Sequence, residues 1–479
     1  MKHQLFKCLL LIIALTGTTS AGANAGAIDL PMIGDPADAV MSPAEERRLG
    51  QRIMTDIRAR GMVIDEPELT AYIREVGYRL VAQTDRRDQE FHFFIIDSPG
   101  INAFALPGGF IGVNAGLILA SRNESELAGV LAHEITHVTQ RHIARRVQAT
   151  RGVDMATAVT VLAAILLGGG DPNILAGAIS GGLAASVQNT INYTLAYEYE
   201  ADRIGINLMA GAGFDPEGMA SFFERLERES RFREAGLEEF LRTHPVTSAR
   251  VSEARNRARN MPPVEATDSM SYLLARARLR VMTARTIDQA ADYFNEEIRR
   301  REGDQLTAAR YGLALTQKAS AQTGEARKTL QGLVEDNRQV PALRLALARA
   351  QTADGNAGAA LETLARANEI FPGNYALNIE YAGRLLESGQ AEQARERLLR
   401  VEYEGNPDAR LLRLLARSAR DTDRPVDAHF YLSEYNLLRG DLNEAIAQLR
   451  MALEIDDINP SQRERLENRL EELRNIRRM

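Results

Sequence analysis

The second half of this 479-residue chain repeats itself every 34 positions, and that period dictates its architecture. Leu313, Leu347, Tyr381 and Leu415 recur at that step, each followed by alanine: Ala314, Ala348, Ala382 and Ala416. Ala326, Ala360, Ala394 and Ala428 keep the same step, as do Leu330, Leu364, Leu398 and Leu432. Gly355 and Gly389 hold the period at a turn, and Pro372 closes the best copy. A unit of this length holds two helices, and small residues at their contacts let them approach closely. Such units bury their apolar faces only by stacking, so residues 303–479 are expected to form an α-solenoid. The highly charged helix Ser461–Arg477 would be its solubilising cap. Residues 263–302, after the break Met261-Pro262-Pro263, are expected to be connecting helices out of register.

The first half carries reactive chemistry. His133-Glu134-Ile135-Thr136-His137 lies in a stretch with helical apolar spacing (Leu127, Val130, Leu131, Val138), expected as one helix over 122–148. Histidines four apart lie about 40° apart on one helical face, so both imidazoles can reach one ion. Glu134, about 100° away, can take a proton from an attacking water without being a ligand. The plainer alternative is a half-exposed helix bearing two histidines and an acid, and a third ligand decides between them.

A glycine at 140 and a histidine at 143 would mark one zinc-protease clan; this chain has Gln140 and Ile143. His142 is expected on the opposite helical face. The best candidate is Glu198, in Tyr197-Glu198-Tyr199-Glu200-Ala201-Asp202. Glu198 and Asp202 form an i, i+4 pair, so Glu198 can ligate while Asp202 accepts from a histidine Nδ1–H. Glu200 is expected at the surface. Two histidines and one glutamate with an open position make the catalytic form of a zinc site.

These motifs resemble the M48 gluzincin metallopeptidases, whose third ligand is the glutamate of an ExxxD motif. Asn102-Ala103-Phe104-Ala105-Leu106-Pro107-Gly108-Gly109 is similar to that family's stretch ahead of the catalytic helix. Thr243-His244-Pro245, with Arg250 following, is similar to its late element. The resemblance implies one Zn²⁺ per chain, with His133, His137 and Glu198 as ligands and Glu134 as base. It also implies that His244 and Arg250 steady the oxyanion. Taken by itself, His244 has two open roles: a donor to the oxyanion, or a fourth ligand that shuts the site. The fold expected is mainly α with a small β-sheet, a gluzincin-type domain followed by the solenoid. Phe91–Ile96 is expected as a strand, and 102–106 with 110–114 as a hairpin. An extended substrate can add itself beside Asn102, Ala103 and Phe104 as a further strand; core packing is the alternative.

At the N-terminus, Lys2 and Lys7 precede an apolar run and then Ala23-Asn24-Ala25, the pattern of a secretory signal peptide over 1–25. The metallopeptidase-like domain would then occupy 26–262. Cys8, the sole cysteine, would leave with the signal. A formal charge of −7 with no basic stripe argues against nucleic acid as a partner. Residues 155–187 form two apolar halves around Gly168–Pro172, neither reaching the ~20 residues of a membrane span. A buried helical pair, a lid over the cleft and an interfacial hairpin in peripheral membrane contact all suit that composition.

The 34-residue period is the tetratricopeptide signature. An exported metallopeptidase with such repeats resembles the envelope members of the same family. That resemblance implies a periplasmic endopeptidase acting on unfolded or misfolded outer-membrane proteins, its repeats docking the barrel assembly machinery. The alternative is a tetratricopeptide chaperone or adaptor whose proteolysis is incidental or latent.

Overall fold

The computed structural model describes residues 41–86, 89–149, 194–230, 238–401, 408–456 and 458–478. The expected signal peptide and the apolar segment 155–187 lie outside them. The described chain is mainly helical with one three-stranded sheet. None of its helices is long and apolar enough to cross a membrane.

Helix α1 (Pro43–Ala59) opens with the capping box of Ser42 and Glu45, and α2 (Pro67–Val81) is capped by the Glu66 carboxylate. The sheet follows: β1 (His92–Ile96), β2 (Ala103–Leu106) and β3 (Phe110–Asn114), in the order β1-β3-β2. β1 runs parallel to β3 and β2 antiparallel to it, so the hairpin places β2 at an edge. Its turn needs Gly108 and Gly109 at φ +79° and +84°; a Cβ on Gly109 would sit 2.0 Å from the Glu90 carbonyl oxygen. Side chains alternate across the sheet. Phe93, Ile95, Ala103, Ala105, Ile111 and Val113 face a core shared with α2, whereas Phe94, Ile96, Phe104, Leu106 and Phe110 face α1.

After α3 (Ala115–Ala120), helix α4 (Glu124–Thr139) is buried at every position, as befits a helix through the middle of a domain. It is shorter than expected. Arg141 adopts φ 52° and a new helix, α5 (His142–Ala149), begins beyond it. Arg141 is buried, and its guanidinium is held by the Glu46 carboxylate at 3.0 Å and the Met41 carbonyl at 2.5 Å. That tertiary anchor outweighs the local preference to continue the helix.

Helix α6 (Thr194–Gly211) lies against α4, followed by α7 (Glu217–Ser230), α8 (Glu238–Thr243) and α9 (Ser248–Arg259). Next come α10 (Met270–Met282) and α11 (Ile287–Arg300), the helices expected between the two halves. The helical pairs of the solenoid are α12–α13 (Gly303–Ala319, Thr323–Asp336), α14–α15 (Pro341–Ala353, Ala357–Ile370) and α16–α17 (Tyr375–Glu387, Ala391–Arg400). They continue as α18–α19 (Ala409–Asp421, Pro425–Leu438) and α20–α21 (Leu442–Leu453, Pro460–Arg478). The period extends to backbone conformation: Ala321, Gly355, Gly389 and Asp423 all have positive φ.

The repeats also curl back onto the first half. Arg349 of α14 bonds Glu66 at 3.0 Å, Glu68 at 2.8 Å and Glu380 at 2.9 Å, and Arg278 of α10 also pairs with Glu68. Gly440 meets α1 so closely that a Cβ there would lie 2.8 Å from Ala59.

Candidate metal centre

Helix α4 presents His133 and His137 one turn apart, and α6 crosses it tightly enough to bring Glu198 opposite. Gly205 eases this crossing, since a Cβ there would stand 3.2 Å from the His133 amide nitrogen, closer than ordinary van der Waals contact. His244, at the end of α8, completes the group. The Nε2 atoms of His133 and His137 are 3.0 Å apart, and His133 Nε2 lies 3.2 Å from His244 Nδ1. Glu198 Oε2 is 3.3 Å from His133 Nε2 and 3.2 Å from His244 Nδ1; Oε1 is 3.4 Å from His137 Nε2. One donor atom from each residue lies within 4.8 Å of the others, and all four residues are buried. Zinc bonds of about 2.0–2.1 Å in tetrahedral geometry separate ligand atoms by roughly 3.3 Å, so these donors suit a zinc ion.

Asp202, one turn after Glu198, accepts from His133 Nδ1–H at 2.9 Å. With Nδ1 protonated, His133 presents the Nε2 lone pair to the cluster. Asp202 also takes two bonds from Arg250, at 2.7 Å from Nε and 2.8 Å from Nη2. Arg250 is 0% exposed. Its Nη1 reaches Glu198 at 3.0 Å and donates to the Pro245 carbonyl at 2.7 Å, so it also fixes the turn carrying His244. Arg250 therefore sits behind the two carboxylates, where it holds both of them and the backbone carrying His244.

Electrostatics follow from these contacts. Burial opposes the Glu198 charge, but His244 and His133 hold its carboxyl well below the usual range. Burial likewise opposes ionisation of Asp202, and hydrogen bonds from His133 and Arg250 outweigh it. Burial would discharge His133, yet Glu198 and Asp202 push it up to about 10 in the metal-free site. His137 falls to about 3, through burial reinforced by the charge on His133. Glu134 is buried, with Oε1 3.3 Å from His244 Nε2.

Two expectations require correction. His142 does not point away: the break at Arg141 reorients it, and its Nδ1 lies 2.8 Å from His137 Nδ1. Nor is Glu200 merely a surface acid, because it bonds His142 Nε2 at 3.2 Å and Arg145 at 3.1 Å. With His137 Nε2 in the cluster, its Nδ1–H must donate to His142 Nδ1, and His142 Nε2–H then donates to Glu200. Burial and the neighbouring His137 keep His142 neutral, at about 3, as this relay requires.

At the sheet edge, Asn102, Ala103 and Phe104 are all buried, and β2 packs beside α4. Both side-chain polar atoms of Asn102 are buried without a hydrogen-bond partner. Among the described residues no strand pairs with the outer edge of β2.

The family model described as "Peptidase family M48" matches residues 67–258, and one for the tetratricopeptide repeat matches 351–418. The chain is 34% identical to the beta-barrel assembly-enhancing protease of Escherichia coli (strain K12) over 484 residues, 99% of this chain and 98% of that protein. The chain belongs to peptidase family M48. The protein of the same name from Yersinia pestis is 38% identical over 68% of each chain. The mitochondrial metalloendopeptidase OMA1 of Schizosaccharomyces pombe is 31% identical over 43% of this chain and 59% of its own. As an M48 metalloendopeptidase the protein is zinc-dependent, and the buried cluster of three histidines and a glutamate provides the donors. Its tetratricopeptide repeats follow the peptidase region in the chain.

Proposed function

We propose that this protein is a periplasmic zinc endopeptidase acting in quality control and assembly of outer-membrane proteins. The observation that carries the chemistry is the convergence of His133, His137 and Glu198 beside the buried Glu134. The cellular role is supported by near-complete alignment with a relative named for enhancing beta-barrel assembly. When bound, Zn²⁺ supplies a Lewis acid that acidifies water and polarises the scissile carbonyl. His133, His137 and Glu198 hold it, and Asp202 orients His133. Glu134 takes the proton of the attacking water and delivers it to the leaving amine. The free edge of β2 receives an extended substrate, with Asn102, Ala103 and Phe104 forming the strand beside it. The repeats recruit the barrel assembly machinery, and unfolded or misfolded outer-membrane proteins are the substrates.

His244 favours the closed role of its two. Its Nδ1 lies 3.2 Å from both His133 Nε2 and Glu198 Oε2, so it would serve as a fourth ligand and keep the enzyme latent until the α8 turn moved. The same geometry gives weight to the alternative of a repeat-based chaperone with latent proteolysis. Glu134→Gln separates the readings. It should retain zinc and lose casein cleavage by about 10²–10⁴-fold, the range of general-base contributions. Rescue of every defect of a deletion strain by this variant would overturn the proteolytic role in cells.

A further inference from the structure

The inner wall of the solenoid carries an unusual concentration of arginine for an acidic chain. A cavity of about 490 Å³ lies between α16, α18, the end of α19 and the loop before α2, which contributes Asp65. Five arginines line it, Arg384, Arg410, Arg413, Arg417 and Arg439, against the three carboxylates Asp65, Glu380 and Glu387. This wall already shows how it holds a carboxylate. Glu380, 2% exposed, accepts from Arg349 at 2.9 Å, Arg384 at 2.7 Å and Arg410 at 2.7 Å. Arg413 and Arg439 form no ion pair among the described residues. Among the described residues Arg417 makes only long contacts, 3.4 Å to Asp421 and 3.4 Å to the Leu386 carbonyl.

We propose that this cavity is a binding site for an acidic, extended peptide segment of a protein partner. Arg410, Arg413 and Arg417 stand at i, i+3 and i+7, hence on one face of α18. At about 1.5 Å per residue that row is roughly 10 Å long. An extended chain covers the same length in about three residues and turns alternate side chains to one face, so carboxylates at i and i+2 can meet the guanidiniums of Arg413 and Arg417 beside the Arg410 that Glu380 already holds. A lone phosphate would engage only part of the row. Leu414 and Tyr435 supply apolar wall for the peptide between its charges. The volume lies within the range of about 300–1,000 Å³ usual for ligand pockets, and concave repeat surfaces are suited to extended ligands. Charge-assisted arginine–carboxylate bonds supply both strength and orientation. Because Asp65 closes one side, the site exists only while the solenoid is docked on α2. The proposal is independent of the catalytic reading, since it concerns binding alone.

The test uses the full-length zinc-loaded protein and a fluorescein-labelled peptide alternating Asp and Glu with Ser, followed by anisotropy at low salt. Mass spectrometry confirms that the peptide stays intact. The Asn/Gln counterpart should bind at least tenfold more weakly. Arg413→Glu combined with Arg439→Glu should weaken acidic-peptide binding at least tenfold, with zinc content and casein cleavage unchanged. Arg439→Gln alone, outside any helix, repeats the test if the double variant fails to fold, and should weaken binding severalfold. Equal affinity for the acidic and neutral peptides, or wild-type affinity in the folded variants, overturns the proposal. Complete displacement of the peptide by low-millimolar inorganic phosphate does so too, by showing a simple anion site.

Discussion

Asp202 holds two partners whose loss has different consequences, which lets its contributions be measured separately. Asp202→Ala removes the acceptor for His133 Nδ1–H and leaves Arg250, 0% exposed, with Glu198 at 3.0 Å and the Pro245 carbonyl at 2.7 Å. Breaking a buried ion pair from one side costs roughly 3–5 kcal/mol where the remaining charge is left unpaired; Arg250 keeps Glu198, so the cost here lies at or below the bottom of that range. Loss of a group orienting a metal ligand weakens metal affinity about 10–100-fold, or roughly 1.4–2.7 kcal/mol. Asp202→Ala should therefore melt well below wild type even without zinc, and bind zinc more weakly besides. Adding Arg250→Met removes the half-paired cation. The double variant should recover part of the metal-free melting temperature, since Glu198 in turn loses Arg250, yet keep the weakened zinc affinity. Melting of zinc-free protein gives the first quantity, as a ranking, since a chain with several cores is not two-state. Competition with a chromophoric chelator gives the second. If the double variant melts no higher than Asp202→Ala alone, Arg250 is not the source of the instability. Full recovery of zinc affinity in the double variant would show that Asp202 acts through Arg250 and not through His133.

Zinc uptake should release protons. His133, held at about 10 in the metal-free site, must give up its proton to ligate, whereas His137, at about 3, is already neutral. Apparent zinc affinity should thus rise with pH, about tenfold per unit between about pH 6 and 8; calorimetry in buffers of different ionisation enthalpy that detects no proton release contradicts this. Glu198→Gln should lose most bound zinc, while Glu200→Gln and His142→Ala should weaken it by no more than about tenfold, acting through His137 Nδ1. Equal zinc retention by Glu198→Gln and Glu200→Gln would remove Glu198 from the ligand set. A chain ending at Glu302 should fold and bind zinc, but Glu66 and Glu68 lose Arg349 and keep Arg278 as their shared cation. It should melt below the full chain and gain from Glu68→Gln; identical melting of the two lengths refutes the importance of that cluster.

Local spacing made much of this architecture legible. The 34-residue step marks the helical pairs, and two short motifs single out His133, Glu134, His137, Glu198 and Asp202, which the fold brings together. What escaped depends on residues far apart in sequence. Arg141 breaks the catalytic helix for a carboxylate 95 positions earlier, Glu46. His142 meets Glu200 across 58 positions only because of that break. The solenoid's return onto α2 is written in Arg349 and Glu66, 283 positions apart. Even the repeat is partly hidden, since Ala321 and Asp423 adopt the left-handed turn without the glycine that signals it elsewhere. That conformation costs a non-glycine residue roughly 1–2 kcal/mol, which packing of the adjoining helices evidently offsets.

Helix α10 gives the molecule a mechanical character. Tyr272, Ala275 and Leu279 are buried in the peptidase core, while Leu274 and Ala277 on its other side belong to the core of the first repeats. The Tyr272 hydroxyl donates to the Ser121 carbonyl, and Ser269 donates to Glu124 at the start of α4. Among the described residues, α10 joins the solenoid's core directly to the core that surrounds α4. A shift of the first repeats would therefore bear directly on α10 and, through Ser269 and Glu124, on the start of α4.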